Sequence, residues 1–391
     1  MDLALIQSAL RDAQLDAWLF YDHHNRDPLA ARILGLPANA HVTRRWYYMI
    51  PAQGEPRKLV HRIESGRLDS LPGTKRAYSS WQELERELAA MLAGRTRLAM
   101  QYSPRNAIMY VSMVDAGTIE VLRELGKEIV SSADLVSQFE AVLTEAQMAT
   151  HFEAQRRIDG ILAEAWPLIG HRSRSTDGTN EFGMVTWLAE AIAREGMVTE
   201  HGPNVSAGPN SADSHYEVTR ESSRPIRAGD FLLIDIWARL ANRPDAIWYD
   251  ITWTGVVGRE PTDREQMIFA IVRDARDAAV RSVEEAFATN QPIAGFEADD
   301  AARGVILASG FEEYFTHRTG HNIATELHGS GANLDNLETH DVRLILPNTC
   351  FSVEPGLYFP GEFGVRSEVD MMTYPDRAVV TGPRQTELLR I

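Results

Sequence analysis

Four acidic residues sit inside segments that otherwise read as buried β-strands, and no other feature of the chain restricts its fold as tightly. In FLLIDIW, Asp235 falls on the same strand face as Leu233 and Trp237. In AIWYDITWT, Ile247, Tyr249 and Ile251 take one face while Trp248, Asp250 and Thr252 take the other. Glu354 interrupts TCFSVEPG, and Glu368 interrupts GVRSEVD with Arg366 on its own face. Buried ionised carboxylates are very costly unless they are paired or bind metal, and one arginine cannot neutralise four of them. A multivalent cation can.

The segment HRTGHNIATELHG adds three histidines, His317, His321 and His328, among glycines that let backbone approach a site closely. One imidazole with several carboxylates suits a dinuclear site, whose bridging carboxylates hold two ions about 3.5 to 4 Å apart. The oxygen-rich donor set favours hard ions, Mn²⁺ above all, with Co²⁺, Fe²⁺ or Zn²⁺ as alternatives. Taken singly, each residue also has a structural reading. Asp235 or Asp250 could cap a turn, Glu354 could end a strand, Glu368 could pair with Arg366, and a lone histidine is more often a hydrogen-bonded core residue than a ligand. The constellation is what points to metal.

With 391 residues the chain has room for two domains. Lys+Arg 39 against Asp+Glu 55 gives a net charge of −16, a field that repels nucleic acid and anionic lipid, so no nucleic-acid or membrane partner is expected. The single cysteine, Cys350, excludes an internal disulfide and a cysteine zinc cluster. No basic region followed by a long apolar run opens the chain, and no apolar stretch long enough to span a bilayer occurs in it, so a cytoplasmic location is expected.

Periodicity predicts a helix in LALIQSALRDAQ, strands in AWLFYD, RRWYYMIP, KLVHRI and RLAMQY, and helices after Ser80 and in DAGTIEVLRELG. Ser80 with Glu83 has capping-box spacing, as does Thr262 with Glu265. This makes residues 1–140 a small α/β domain of mixed connectivity. Helical spacing between Ser131 and Ile169 predicts a connector and then the first long helix of a second domain, 141–391. There, helices near 180–195, 263–288 and 297–309 are interleaved with the acid-bearing strands, and Gly310 stands at a helix C-cap position. The fold class is α+β, a sheet covered by helices.

The order LIDIW, WYDITWT, HRTGHNIATELH, FSVEPGLY and FGVRSEVD resembles the metal-binding signature of the pita-bread metallopeptidases, which include prolidases, aminopeptidase P and methionine aminopeptidases. The resemblance covers residues 145–391, and the first domain is similar to the creatinase/prolidase-type N-terminal domain. It implies Asp235 as a ligand of one ion, Asp250 as a bridging ligand, His321 and Glu354 as ligands of one ion, and Glu368 as the second bridging carboxylate. It also implies that His215, in SADSHYEV, meets the substrate near the scissile amide, and that His328 bonds the scissile carbonyl. His317, Tyr358 and Arg366 match other active-site positions of the proline-specific branch.

Several positions depart from that pattern. The two aspartates are 250 − 235 = 15 residues apart, more than is usual, so ANRPD is expected to be a surface loop. Trp253 replaces an arginine and lies opposite Asp250, while Arg318 and Gly329 replace a glycine and a glutamate. His340 stands where related prolidases carry an arginine, which makes it a candidate substrate-binding residue and unsettles the usual anchor for a dipeptide carboxylate. The resemblance implies hydrolysis of the Xaa-Pro bond in dipeptides, with Glu354 moving the proton of the attacking water to the leaving nitrogen. The alternatives are an aminopeptidase P acting on longer proline-containing peptides, and a non-catalytic peptide- or protein-binding pseudo-peptidase. Methionine aminopeptidase fits less well because it usually lacks the N-terminal domain, and creatinase because it lacks the five ligands. A homodimer is implied by the resemblance alone.

Overall fold

The Ser80 hydroxyl oxygen accepts a hydrogen bond from the Glu83 N–H, the Glu83 carboxylate accepts one from the Ser80 N–H, and the helix Trp81–Met91 follows as the capping box predicts. The computed structural model describes residues 1–37, 40–176 and 178–391. These form two compact units, Met1–Glu140 and Ala141–Ile391.

The first unit is built on one six-stranded mixed sheet. Its strands are β1 (Ala17–Asp22), β2 (Trp46–Pro51), β3 (Arg57–His61), β4 (Thr74–Tyr78), β5 (Arg97–Met100) and β6 (Glu128–Ser131), in the order β4-β3-β2-β1-β5-β6. β2 runs antiparallel to β1 and β3, while β3–β4, β1–β5 and β5–β6 are parallel. Helices α1 (Leu3–Asp12), α2 (Pro28–Leu34), α3 (Trp81–Met91), α4 (Ala116–Glu124) and α5 (Ala133–Val136) accompany it. Two apolar clusters form, one around Trp18, Phe20 and Tyr48 and the other around Leu19, Tyr47 and Leu98, because alternate residues of β1 and β2 point to opposite faces. The predicted strands of this half are present. β4 and β6 carry too few apolar residues in period to be legible, and α2, though apolar, is only 7 residues long.

In the second unit α6 (Glu145–Arg172) begins at Thr144, whose side chain and that of Gln147 form a reciprocal cap. It is followed by α7 (Glu181–Arg194), β7 (Met197–Val198), β8 (Asn204–Ala207), β9 (Phe231–Leu240) and β10 (Tyr249–Val256). Then come α8 (Asp263–Ala288), α9 (Gly295–Ser309), β11 (Asn322–Ile323), β12 (Cys350–Val353), β13 (Gly356–Phe359), β14 (Phe363–Arg366), β15 (Val369–Tyr374), β16 (Arg377–Val380) and β17 (Leu389–Arg390). One sheet is ordered β17-β10-β9-β7, with β8 also paired to β9; another is β11-β12-β15-β16; and β13 pairs with β14. α6 and α7 share an apolar core with β9 and β10, whereas α8 and α9 share one with β12 to β15. Each half is therefore sheet on helix pair. The ANRPD segment forms a turn beyond β9, with an Arg243–Asp245 ion pair at its surface. Among the described residues no helix is long and apolar enough to cross a membrane.

Candidate metal centre

β9 and β10 are antiparallel with Thr252 opposite Asp235 and Asp250 opposite Trp237, so Asp235, Asp250 and Thr252 project from one face of the hairpin. The Thr252 hydroxyl lies 3.0 Å from Asp235 Oδ1 and 2.7 Å from Glu368 Oε2, which ties this face to the segment entering β15. The Glu368 N–H also donates to the Thr252 carbonyl at 3.2 Å.

His321 arrives on a loop that needs glycine. A Cβ on Gly320 would stand 1.9 Å from the Ser352 carbonyl oxygen, and this close approach lets the Ser352 N–H donate to the His321 carbonyl at 2.9 Å. Ser352 Oγ in turn accepts from the His321 N–H at 3.0 Å and lies 3.0 Å from Glu354 Oε1. The same loop is fixed from α9, where buried Asp299 accepts from the Thr319 N–H at 2.9 Å and Arg303 donates to the His317 carbonyl at 2.7 Å. His321 Nε2 then faces Glu354 Oε1 at 3.4 Å and Asp250 Oδ2 at 3.9 Å. Donor atoms of Asp250, His321 and Glu368 all lie within 4.8 Å of one another.

Electrostatically the cluster is far from balanced. Burial raises the Asp250 carboxyl well above its ordinary range, with Asp235, Asp370 and Glu354 pushing the same way. Glu368 is raised well above its range by burial and then by Asp250 and Glu354. Asp235 is also raised by burial, against the opposing pull of Arg366. Arg366 is ion-paired to Asp235 and donates from Nε to Thr252 Oγ1 at 3.0 Å. One guanidinium thus serves a group of five acids when Asp370 is included. Among the described residues, Asp250 Oδ1 and Glu368 Oε1 are buried and meet no hydrogen-bond partner. Two orphaned carboxylate oxygens beside an imidazole, in an oxygen-rich donor set, fit divalent cations.

His317, His321 and His328 are held well below the usual imidazole range, so all three are neutral near pH 7. Burial lowers His321 to about 3, and its Nδ1 lies 3.2 Å from the Asn322 carbonyl. That bond places the proton on Nδ1 and the lone pair of Nε2 toward the carboxylates, the tautomer a metal-binding histidine needs. His317, lowered to about 4 by burial, bonds the Arg318 carbonyl through Nδ1 at 2.7 Å and the Tyr358 hydroxyl through Nε2 at 2.8 Å. His328 is exposed at the edge of the cluster and lies edge-on to His321. His215 is exposed too. His340 is elsewhere: its partners are Asn336 Oδ1 at 2.8 Å and the Phe296 ring, not the carboxylates. Trp253 packs on the opposite side of β10, against the core shared with α6 and α7.

The profile of metallopeptidase family M24 matches residues 140–374, the stretch that carries every one of these carboxylates. The chain belongs to metallopeptidase family M24. The family is dinuclear and metal-dependent, and this member has the candidate ligand groups for such a centre. The chain is 25% identical over 346 residues to a probable dipeptidase PepE of Mycobacterium tuberculosis, covering 87% of this chain and 84% of that one. It is 31% identical over 172 residues to an Xaa-Pro dipeptidase of Lactobacillus delbrueckii subsp. lactis, covering 44% and 42%. The crystal structure of dipeptidase PepE from Mycobacterium ulcerans superposes with a TM-score of 0.71 at 23% identity, covering 100% of this chain and 96% of that one. Its fold, an N-terminal α/β domain followed by a pita-bread domain, is the fold of this M24 member.

Thr252, Ser352, Asp299 and Asp370 escaped the sequence reading although each is buried at the site. Asp370 had a signal, since it stands two residues after Glu368 on the same strand face. Asp299 had none, because its contact with Thr319 joins segments far apart in sequence.

Proposed function

We propose that this M24 member hydrolyses the Xaa-Pro bond of dipeptides with two divalent ions, Mn²⁺ as the preferred metal. Asp235, Asp250, His321, Glu354 and Glu368 would hold the two ions. The observation that carries the reading is the pair of buried oxygens, Asp250 Oδ1 and Glu368 Oε1, that meet no partner among the described residues, beside a neutral imidazole whose Nε2 lies 3.9 Å from Asp250 Oδ2. Bound there, such ions would polarise the scissile carbonyl and bring the pKa of water down towards about 7.

The chain's own groups complete the chemistry. Glu354 takes the proton of the attacking water and returns it to the leaving nitrogen, which for proline carries no hydrogen of its own. His328, neutral and therefore an N–H donor, stabilises the oxyanion. Arg366 and the Tyr358–His317 pair form a rigid wall, joined through the Tyr358 hydroxyl at 3.5 and 2.8 Å, against which the substrate is oriented. His215 stands at the rim to meet the substrate. We place the enzyme in the cytoplasm as a homodimer.

Action on longer peptides, as an aminopeptidase, is the second reading. It is favoured by His340, which stands where related prolidases carry an arginine and whose ring is held by Asn336 Oδ1 and Phe296. The deciding experiment compares Ala-Pro with Ala-Pro-Xaa, using metal-stripped protein with and without Mn²⁺. Mn²⁺-dependent cleavage of the dipeptide alone is expected. Preference for the longer peptide makes it an aminopeptidase, and loss of both metal binding and cleavage leaves a peptide-binding module.

A further inference from the structure

Behind the carboxylates lies a second buried polar group that the proposed reaction does not use: His151 on α6, Cys350 on β12, Asp370 on β15 and Thr381. Asp370 Oδ2 accepts from the backbone N–H of Asp250 at 2.8 Å. His151 Nδ1 lies 2.6 Å from the carbonyl of Trp248, two residues earlier, and its Nε2 lies 2.9 Å from Thr381 Oγ1. The Thr381 N–H closes the group by donating to the Asp370 carbonyl at 3.0 Å. The chain entering β10 is thus held at two successive points by side chains from two other elements, immediately before Asp250.

We infer that Asp370, backed by His151 and Thr381, is a positioning residue that fixes the backbone of Asp250 so that its carboxylate meets the metal ions. A bond to the main chain at the ligand itself sets the origin of that side chain, and outer contacts of this kind commonly change metal affinity 10–100-fold. The rival arrangement is a further cation held by His151, Cys350 and Asp370, whose donor atoms lie within 4.8 Å of one another and among which Asp370 Oδ1 has no partner. Both ring nitrogens of His151 are already hydrogen-bonded, which favours the brace.

The inference rests on the metal centre proposed above, and titration of metal-stripped protein with Mn²⁺ separates the two. The variants are Asp370→Leu, which removes the acceptor at similar size, and Asp370→Asn, which keeps an oxygen for the Asp250 N–H. Wild type is expected to bind two ions, D370L to bind about tenfold or more weakly, and D370N to stay within about threefold of wild type. Unchanged affinity in D370L overturns the brace while leaving the centre intact, and equal losses in both variants overturn it in favour of a pure charge effect. A third ion in wild type that D370L lacks replaces the brace with a cation site. No Mn²⁺ uptake by wild type overturns centre and brace together. Should D370L not fold, hydrogen exchange of residues 247–252 in metal-free D370N and wild type is the second readout: equal protection is expected, and faster exchange in D370N despite its retained acceptor overturns the brace.

Discussion

The ring of His328 lies edge-on against the ring of His321, centroids 4.2 Å apart at an interplanar angle of 68°. The contact couples a candidate ligand to a residue at the mouth of the site. The neighbouring His321 lowers His328 to about 3, so it remains a neutral donor throughout the range in which the enzyme would work. Replacing it with alanine is expected to reduce kcat by about 10²–10³, the usual effect of losing one oxyanion donor, with Mn²⁺ stoichiometry unchanged. Steady-state kinetics with metal analysis of the same samples checks this. A variant that loses metal instead would place His328 among the ligands.

Protons and metal ions compete for the same carboxylates. Asp250 and Glu368 have folded-state pKa values raised well above their ordinary ones, so in the metal-free protein they hold protons to higher pH than in the unfolded chain. Their contribution to stability is therefore present at low pH and is lost as pH rises through the raised values. Cation binding displaces those protons, so affinity must rise with pH. The increase in Tm produced by a fixed Mn²⁺ concentration is expected to be larger near pH 7.5 than near pH 5.5. Thermal unfolding with and without Mn²⁺ at the two values measures it, and a larger increase at the lower pH would contradict the carboxylate-bound ions.

Strand alternation places acids among apolar neighbours at Asp235 and Asp250, and although either alone could cap a turn, their gathering with Glu354 and Glu368 was readable in the sequence. The caps of α3 and α8 were legible because Ser80–Glu83 and Thr262–Glu265 are three-residue patterns. What failed to show was whatever depends on contacts between distant segments. His340 matched a position in a motif order, yet its ring is held by Asn336, four residues earlier, and by Phe296. Thr252 looked like an ordinary β-branched strand residue, and its role appears only when Glu368, 116 positions later, folds onto it.

That hydroxyl gives a direct test of how the ligands are held. Thr252 Oγ1 contacts Asp235, Glu368 and Arg366 Nε, at 3.0, 2.7 and 3.0 Å. Thr252→Val removes these bonds while keeping the shape and the strand preference. Mn²⁺ affinity is expected to fall about 10–100-fold, with the metal-free fold retained. Calorimetric titration beside far-ultraviolet circular dichroism reads both, and affinity within about twofold of wild type would show that the carboxylates orient themselves without it.

The loop that delivers His321 depends on what Gly320 lacks. Its missing side chain leaves the space in which the Ser352 carbonyl oxygen sits, 1.9 Å from where a Cβ would be, and that oxygen belongs to backbone that cannot swing aside as a flexible side chain would. Gly320→Ala must therefore push β12 and the loop apart, breaking the Ser352–His321 and Glu354–Thr319 backbone bonds of 2.9 and 2.7 Å. Overpacking of this kind costs about 1–3 kcal/mol. Because the strained bonds place His321 and Glu354 together, metal affinity should fall along with stability, whereas an overpacked core remote from the site would lower stability alone. Urea unfolding of the metal-free variant and Mn²⁺ titration of the folded one distinguish these outcomes, and a stable G320A that binds Mn²⁺ like wild type would show that the loop can reach its ligand geometry by another path.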